Sequence, residues 1–271
     1  MHAPPVPPEI AFRYDTKEFM FGWFKPQCPV DVAAKRWIEN RLQWLSEQFG
    51  RDTFTRRAVI LPTNEFFPDP IDGSEASVRN LLDQVCRYMD VKPNRVALEL
   101  FTNKNELWLV NDDGKYLPTG AAGLYDEQFG KTVIHIETSE MLNLSGLVGT
   151  MAHELAHLRL MGERRVTGDE YDNELLTDLT AVFHGFGIFL GNSPRNWDSQ
   201  YSDWPGTDLK RPEYMTLPMF AYAMAHAAWF RGESKPDWLP FLSFDLKPCF
   251  KQGVRFLMET KDSTFAPDSG A

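Results

Sequence analysis

The run His153-Glu154-Leu155-Ala156-His157 sets two imidazoles four residues apart around a carboxylate. On an α-helix the two histidines lie one turn apart on the same side, within reach of one metal ion. Glu154 points about 100° further round the helix and can hold a water that the metal polarises. Downstream, Asp172-Asn173-Glu174-Leu175-Leu176-Thr177-Asp178 offers two carboxylates, Glu174 and Asp178, again four apart and on a common helical face. One of them can reach the metal, while the other accepts a hydrogen bond from a ligand imidazole and fixes its tautomer. Glu163, Asp169, Glu170 and Asp172 are rival ligands, but none is followed by an Asp at that spacing.

An H-E-x-x-H run followed by an Asn-Glu pair, with an Asp four residues after the Glu, resembles the gluzincins, the thermolysin-type zinc peptidases. The matching residues are His153, Glu154, His157, Asn173, Glu174 and Asp178, and the resemblance covers roughly residues 142–190. It implies His153, His157 and Glu174 as ligands of Zn²⁺, Glu154 as general base and Asp178 as the partner of His153. It further implies an edge strand above the cleft that pairs with the substrate backbone. In this family a Tyr or His beyond the ligands stabilises the oxyanion, and Tyr171, Tyr222 and His226 are the candidates here, the last two sharing a helical face. The metzincin pattern is excluded because no third histidine follows at the short spacing it requires. The stretch Gly120-Ala121-Ala122-Gly123 carries no Glu to grip a free amine, unlike the Gly-x-Met-Glu-Asn element of one aminopeptidase branch. The expected activity is therefore that of an endopeptidase or a narrow-specificity processing enzyme acting on peptides or proteins. The alternative is a catalytically silent zincin-fold regulatory or binding protein that holds zinc.

Elements must position these groups. Leu144, Leu147, Val148, Met151, Leu155 and Leu158 recur at helical spacing and form one apolar stripe. Both histidines fall on the opposite face beside Gly146, Gly149, Thr150 and Ala156, small residues that leave room for a metal and another segment of chain. Gly162 stands where a helix C-cap is expected. The second acidic helix is expected to run to Gly191, with His184 off the ligand face and in the core. Val133-Ile134-His135-Ile136, preceded by Gly120–Tyr125 and a turn near Gly130, predicts an antiparallel pair just ahead of the metal-binding helix, with His135 structural.

Upstream, Asp31 caps a helix to about Phe49, Ala58–Leu61 reads as a short buried strand, and Ser74 and Ser77 open a helix through Met89. Strands are expected over 96–101 and 106–110, with turn chemistry at 111–114. Residues 192–215 form a long polar and aromatic loop with Trp197, Tyr201, Trp204 and Tyr214, suited to a lid or to packing over the core. Thr216 with Pro218 opens another helix, and Asp245 with Pro248 begins a last one over 250–258. The expected fold is α+β and zincin-like, a small mostly antiparallel sheet on a metal-binding helix, followed by a glutamate helix and C-terminal helices. Residues 1–30 form an extended N-terminal arm, 31–260 a single domain and 261–271 a loose tail.

Composition bounds the partners. The chain has 271 residues, 43% hydrophobic and 24% charged, ordinary for a globular protein. Its formal charge of -10 argues against nucleic-acid binding. The longest apolar stretch, 217–230, is too short to span a bilayer, so no membrane partner is expected. Cys28, Cys86 and Cys249 are odd in number and widely spaced, pointing to free thiols and a cytoplasmic location.

Overall fold

The computed structural model describes residues 25–102, 108–110, 116–118, 123–128, 131–168, 170–193 and 202–267. Most of the predicted arm, the turn at 111–114, Gly120 to Ala122, Trp197 and Tyr201 lie outside the described residues.

A mixed arrangement of helices and a small sheet results, roughly α+β. Helix α1 (Val32–Phe49) begins where Asp31 accepts hydrogen bonds from the Ala33 and Ala34 amides. Its face of Trp37, Ile38, Leu42 and Leu45 is buried. A short α2 (Arg51–Thr55) and α3 (Glu75–Tyr88) follow, the latter capped by the Ser74 hydroxyl. Strands β1 (Val96–Phe101), β2 (Trp108–Val110), β3 (Tyr116–Pro118), β4 (Gly123–Gln128) and β5 (Lys131–Glu137) come next. β5 is central, parallel to β1 and antiparallel to β4, while β2 and β3 form a separate hairpin. The expected antiparallel pair is thus β4 and β5, and β4 is an outer strand lying beside the helix that carries His153 and His157.

That helix, α4 (Leu144–His157), is capped by Asn143, whose Oδ1 accepts from the Gly146 amide at 3.0 Å. Its apolar stripe is buried as its spacing requires, and it does not stop at a glycine cap. The helix widens into a π-helical turn, Leu158–Gly162, because Leu158 and Leu160 remain buried and hold the chain against the core. The face carrying Gly149 is covered: the backbone of Phe189 lies 3.8 Å from where a Gly149 Cβ would stand.

The acidic helix ends earlier than its composition suggests. α5 (Asn173–Phe183) is separated from α6 (Gly187–Asn192) by a turn at His184-Gly185, where Gly185 has φ 98°. The Gly185 carbonyl accepts from the Ile60 amide at 3.0 Å. This contact also explains why Ala58–Leu61 is extended yet belongs to no ladder: its neighbour is a helix-to-helix turn, not a strand. A small hairpin, β6 (Ser202–Asp203) and β7 (Lys210–Arg211), precedes α7 (Leu217–Phe230) and α8 (Leu246–Thr260).

Residues 261–267 depart from the expectation of a loose tail. Phe265 is fully buried, stacked on Phe230 with ring centroids 4.7 Å apart. The Thr264 amide and hydroxyl both donate to buried Glu39 at 3.0 Å. No helix among the described residues is long and apolar enough to cross a membrane.

Candidate metal centre

α4 and α5 pack against each other, bringing the two histidines opposite Glu174. α5 is tied in place from below. Asp172, fully buried just ahead of it, accepts from Trp37 Nε1 at 2.6 Å and from Arg41 Nε and Nη2 at 2.7 Å each. A two-pronged guanidinium clamp of this kind fixes orientation as well as position. Asp172 is therefore an anchor of α5 on α1, not a metal ligand. The other rivals are also engaged elsewhere: Glu163 pairs with Arg165 at 3.1 Å and Glu170 with Arg41 at 3.5 Å. Asp169 is outside the described residues.

His153 Nε2 lies 3.1 Å from Glu174 Oε2 and 3.2 Å from His157 Nε2. His157 Nε2 lies 3.5 Å from the same Glu174 oxygen. Tetrahedral zinc with bonds of about 2.0–2.1 Å has donor atoms about 3.3–3.4 Å apart. The triangle is of the size that fits a zinc ion, and His153, His157 and Glu174 form the one group among the described residues that could hold a metal.

Proton positions make the case stronger. Asp178 Oδ1 faces His153 Nδ1 at 2.9 Å, and its Oδ2 accepts from the Met215 amide at 3.0 Å. A carboxylate only accepts, so Nδ1 of His153 carries the proton and Nε2 a lone pair. Thr177 Oγ1 gives its single proton to the Asn173 carbonyl at 2.8 Å and lies 3.2 Å from His157 Nδ1. It must accept from that nitrogen, which leaves Nε2 of His157 a lone pair as well. Two imidazole lone pairs and a carboxylate oxygen thus converge on one point, a set that calls for a cation.

Glu154, next to the first ligand on α4, is 3% exposed. Tyr171 is 48% exposed and shares with Glu174 a cleft of about 480 Å³, also lined by Glu170, Asn173, Ser202, Arg211 and Glu213. Tyr222 and His226 are not brought to the cluster. Both are fully buried: Tyr222 donates to Glu39 at 2.7 Å, and His226 contacts the Tyr222 carbonyl and Ser263 Oγ, each at 3.0 Å. Their shared face on α7 packs on α1 and the 261–267 segment, which is why the i,i+4 spacing misleads. His184 is buried in the core, its Nδ1 donating to the Thr180 carbonyl at 2.9 Å. His135 is buried on β5 with Glu99 at 3.3 Å.

Thr177 and Tyr214 border the cluster, although neither stood among the site residues expected from the sequence. The Tyr214 ring centroid is 6.0 Å from that of His153. Its signal is adjacency to Met215, whose amide meets Asp178, but only the fold reveals that adjacency. Comparisons with family models, with curated proteins and with solved structures each return no match.

Proposed function

We propose that the chain is a zinc-dependent peptidase of the gluzincin kind, an endopeptidase or narrow-specificity processing enzyme that cuts peptides or proteins. The observation that carries this reading is the convergence of His153 Nε2, His157 Nε2 and Glu174 Oε2 at 3.1–3.5 Å, with both imidazole tautomers set by Asp178 and Thr177. A Zn²⁺ ion held by these atoms supplies Lewis acidity that acidifies water and polarises an amide carbonyl. Glu154 takes the proton of the attacking water and returns it to the leaving amine. Asp178 and Thr177 aim the two imidazoles and turn each Nε2 towards the ion. Tyr171 in the cleft wall, or Tyr214 beside His153, donates to the developing oxyanion. A cleft of about 480 Å³ suits a short peptide segment, within the ~300–1,000 Å³ usual for ligand sites. The outer strand β4 offers an edge on which an extended peptide can pair. The net charge of -10 supports a peptide over a nucleic acid as substrate, and the three free cysteines support a reducing cytoplasm.

The test is to incubate wild-type protein and Glu154→Gln with a cell lysate and identify new peptide termini. Wild type should generate termini that vanish with a chelator. Glu154→Gln should keep its zinc and lose activity by about 10²- to 10⁴-fold. Termini that persist in chelator, or survive undiminished in Glu154→Gln, would contradict the reading.

A further inference from the structure

We propose that Arg211 binds a carboxylate of the peptide in the cleft beside Glu174, so that the preferred substrates are those presenting a carboxylate, either a free C-terminus or an Asp or Glu side chain. This rests on the peptidase reading for the word substrate, though not for the binding itself.

The β6–β7 hairpin puts Arg211 in the wall of the cleft that contains Glu174 and Tyr171. Its guanidinium stands over the Tyr171 ring, 5.7 Å from the centroid. The Nη1 group donates to the carbonyl of the adjoining Pro212, at 3.4 Å, and the buried Nε meets no acceptor among the described residues. Several other part-buried arginines are paired with carboxylates, Arg41 with Asp172 at 2.7 Å, Arg57 with Asp90 at 2.5 Å, Arg79 with Asp83 at 2.6 Å and Arg165 with Glu163 at 3.1 Å, while Arg231 is taken up by the backbone carbonyls of Phe54, Thr55 and Arg57. Arg211 forms no ion pair with any carboxylate of the described residues, although Glu170 and Glu213 line the same cleft. The neighbouring Lys210 takes Asp203 at 2.8 Å.

A planar guanidinium braced on an aromatic face, with no carboxylate of the described residues paired to it, can receive a carboxylate on the two prongs of its terminal nitrogens. Glutamates elsewhere along the cleft repel an anion, so a carboxylate is directed to the one cationic side chain in the wall. The metal site and Arg211 then act as two positive points that set the register of a bound peptide, one for the scissile carbonyl and one for the carboxylate.

The experiment uses zinc-loaded Glu154→Gln, whose turnover is slow, and a degenerate hexapeptide pool free of Asp and Glu, labelled at its N-terminus with a dye that carries no carboxylate. The pool is made as free acid, as amide, and as amide with one fixed Glu. Polarisation titrations should show the carboxylate-bearing pools binding about 10- to 100-fold more tightly than the neutral amide pool, the range for a hydrogen bond between charged groups. Preference for the free acid alone identifies a terminal carboxylate, and equal preference for the fixed-Glu amide identifies a side chain. In Arg211→Met the preference should collapse towards one, and Arg211→Lys should retain part of it, with zinc content and circular dichroism as controls on folding. Equal binding of all three pools at any level, including none, overturns the assignment, as does a preference that survives in Arg211→Met. Absence of hydrolysis by wild type would instead overturn the peptidase reading and leave the carboxylate site standing.

Discussion

Replacing Asp178 with Asn changes one atom and should separate metal affinity from folding. The wild-type carboxylate receives two buried donors, His153 Nδ1–H at 2.9 Å and the Met215 amide at 3.0 Å. An Asn can accept only one of them. If its oxygen stays with Met215, its NH₂ faces His153 Nδ1, which must then accept, and the ring proton moves to Nε2. That proton occupies the lone pair which the metal needs, yet it can donate to Glu174 Oε2, 3.1 Å away. The zinc-free protein is then nearly satisfied and should lose only about 1 kcal/mol, the net worth of one hydrogen bond. Zinc affinity should fall by about 10- to 100-fold, the usual cost of removing a carboxylate behind a ligand imidazole. By contrast, Asp178→Ala strands both donors and should cost about 2–6 kcal/mol, at about 1–3 for each buried orphan. Competition for zinc against a chelating dye, paired with urea unfolding of the zinc-free proteins, reads both quantities. Zinc affinity in Asp178→Asn within a factor of two of wild type would refute the tautomer reasoning.

Gly185 sits at φ 98°, and an added Cβ would lie 2.7 Å from the Ala58 carbonyl oxygen. Gly185→Ala should therefore cost at least about 2 kcal/mol through backbone strain and collision, lowering Tm by about 4–8 °C; an unchanged Tm would contradict this. Burial lowers the pKa of His184 to about 3 and that of His226 to about 4. Below pH of about 6.5 the unfolded chain takes up protons that these folded imidazoles refuse. Stability is thus full above about 6.5 and falls as pH drops towards 4, by about 1.4 kcal/mol per pH unit for each residue. Urea unfolding of zinc-free protein between pH 7 and 4 should show this slope, shallower in His226→Asn, and a flat profile would contradict it.

What could be read directly were features encoded locally. Asp31 and Ser74 each stand where a backbone amide needs an acceptor, and the starts of α1 and α3 follow. The apolar spacing around His153 likewise specified which face of α4 would be buried. What escaped depends on residues far apart in sequence. Glu39 is held by Tyr222 and Thr264, and Asp172 by Trp37 and Arg41, pairings that no local window contains. Those same distant partners explain why Tyr222 and His226 serve the core and why Phe265 is packed. The segment Ala58–Leu61 has strand composition but finds a turn beside it, so composition alone overstated it. The π-helical turn after His157 is also set by tertiary packing, since Gly162 is a sound local stop signal.

Zinc titration of chelator-treated protein, followed by calorimetry for wild type and for His157→Ala in parallel, bears most directly on the metal centre. Wild type should bind one ion per chain, and His157→Ala should lose stoichiometric binding while remaining folded. Full stoichiometric zinc in His157→Ala, or none in wild type, would contradict coordination by His153, His157 and Glu174.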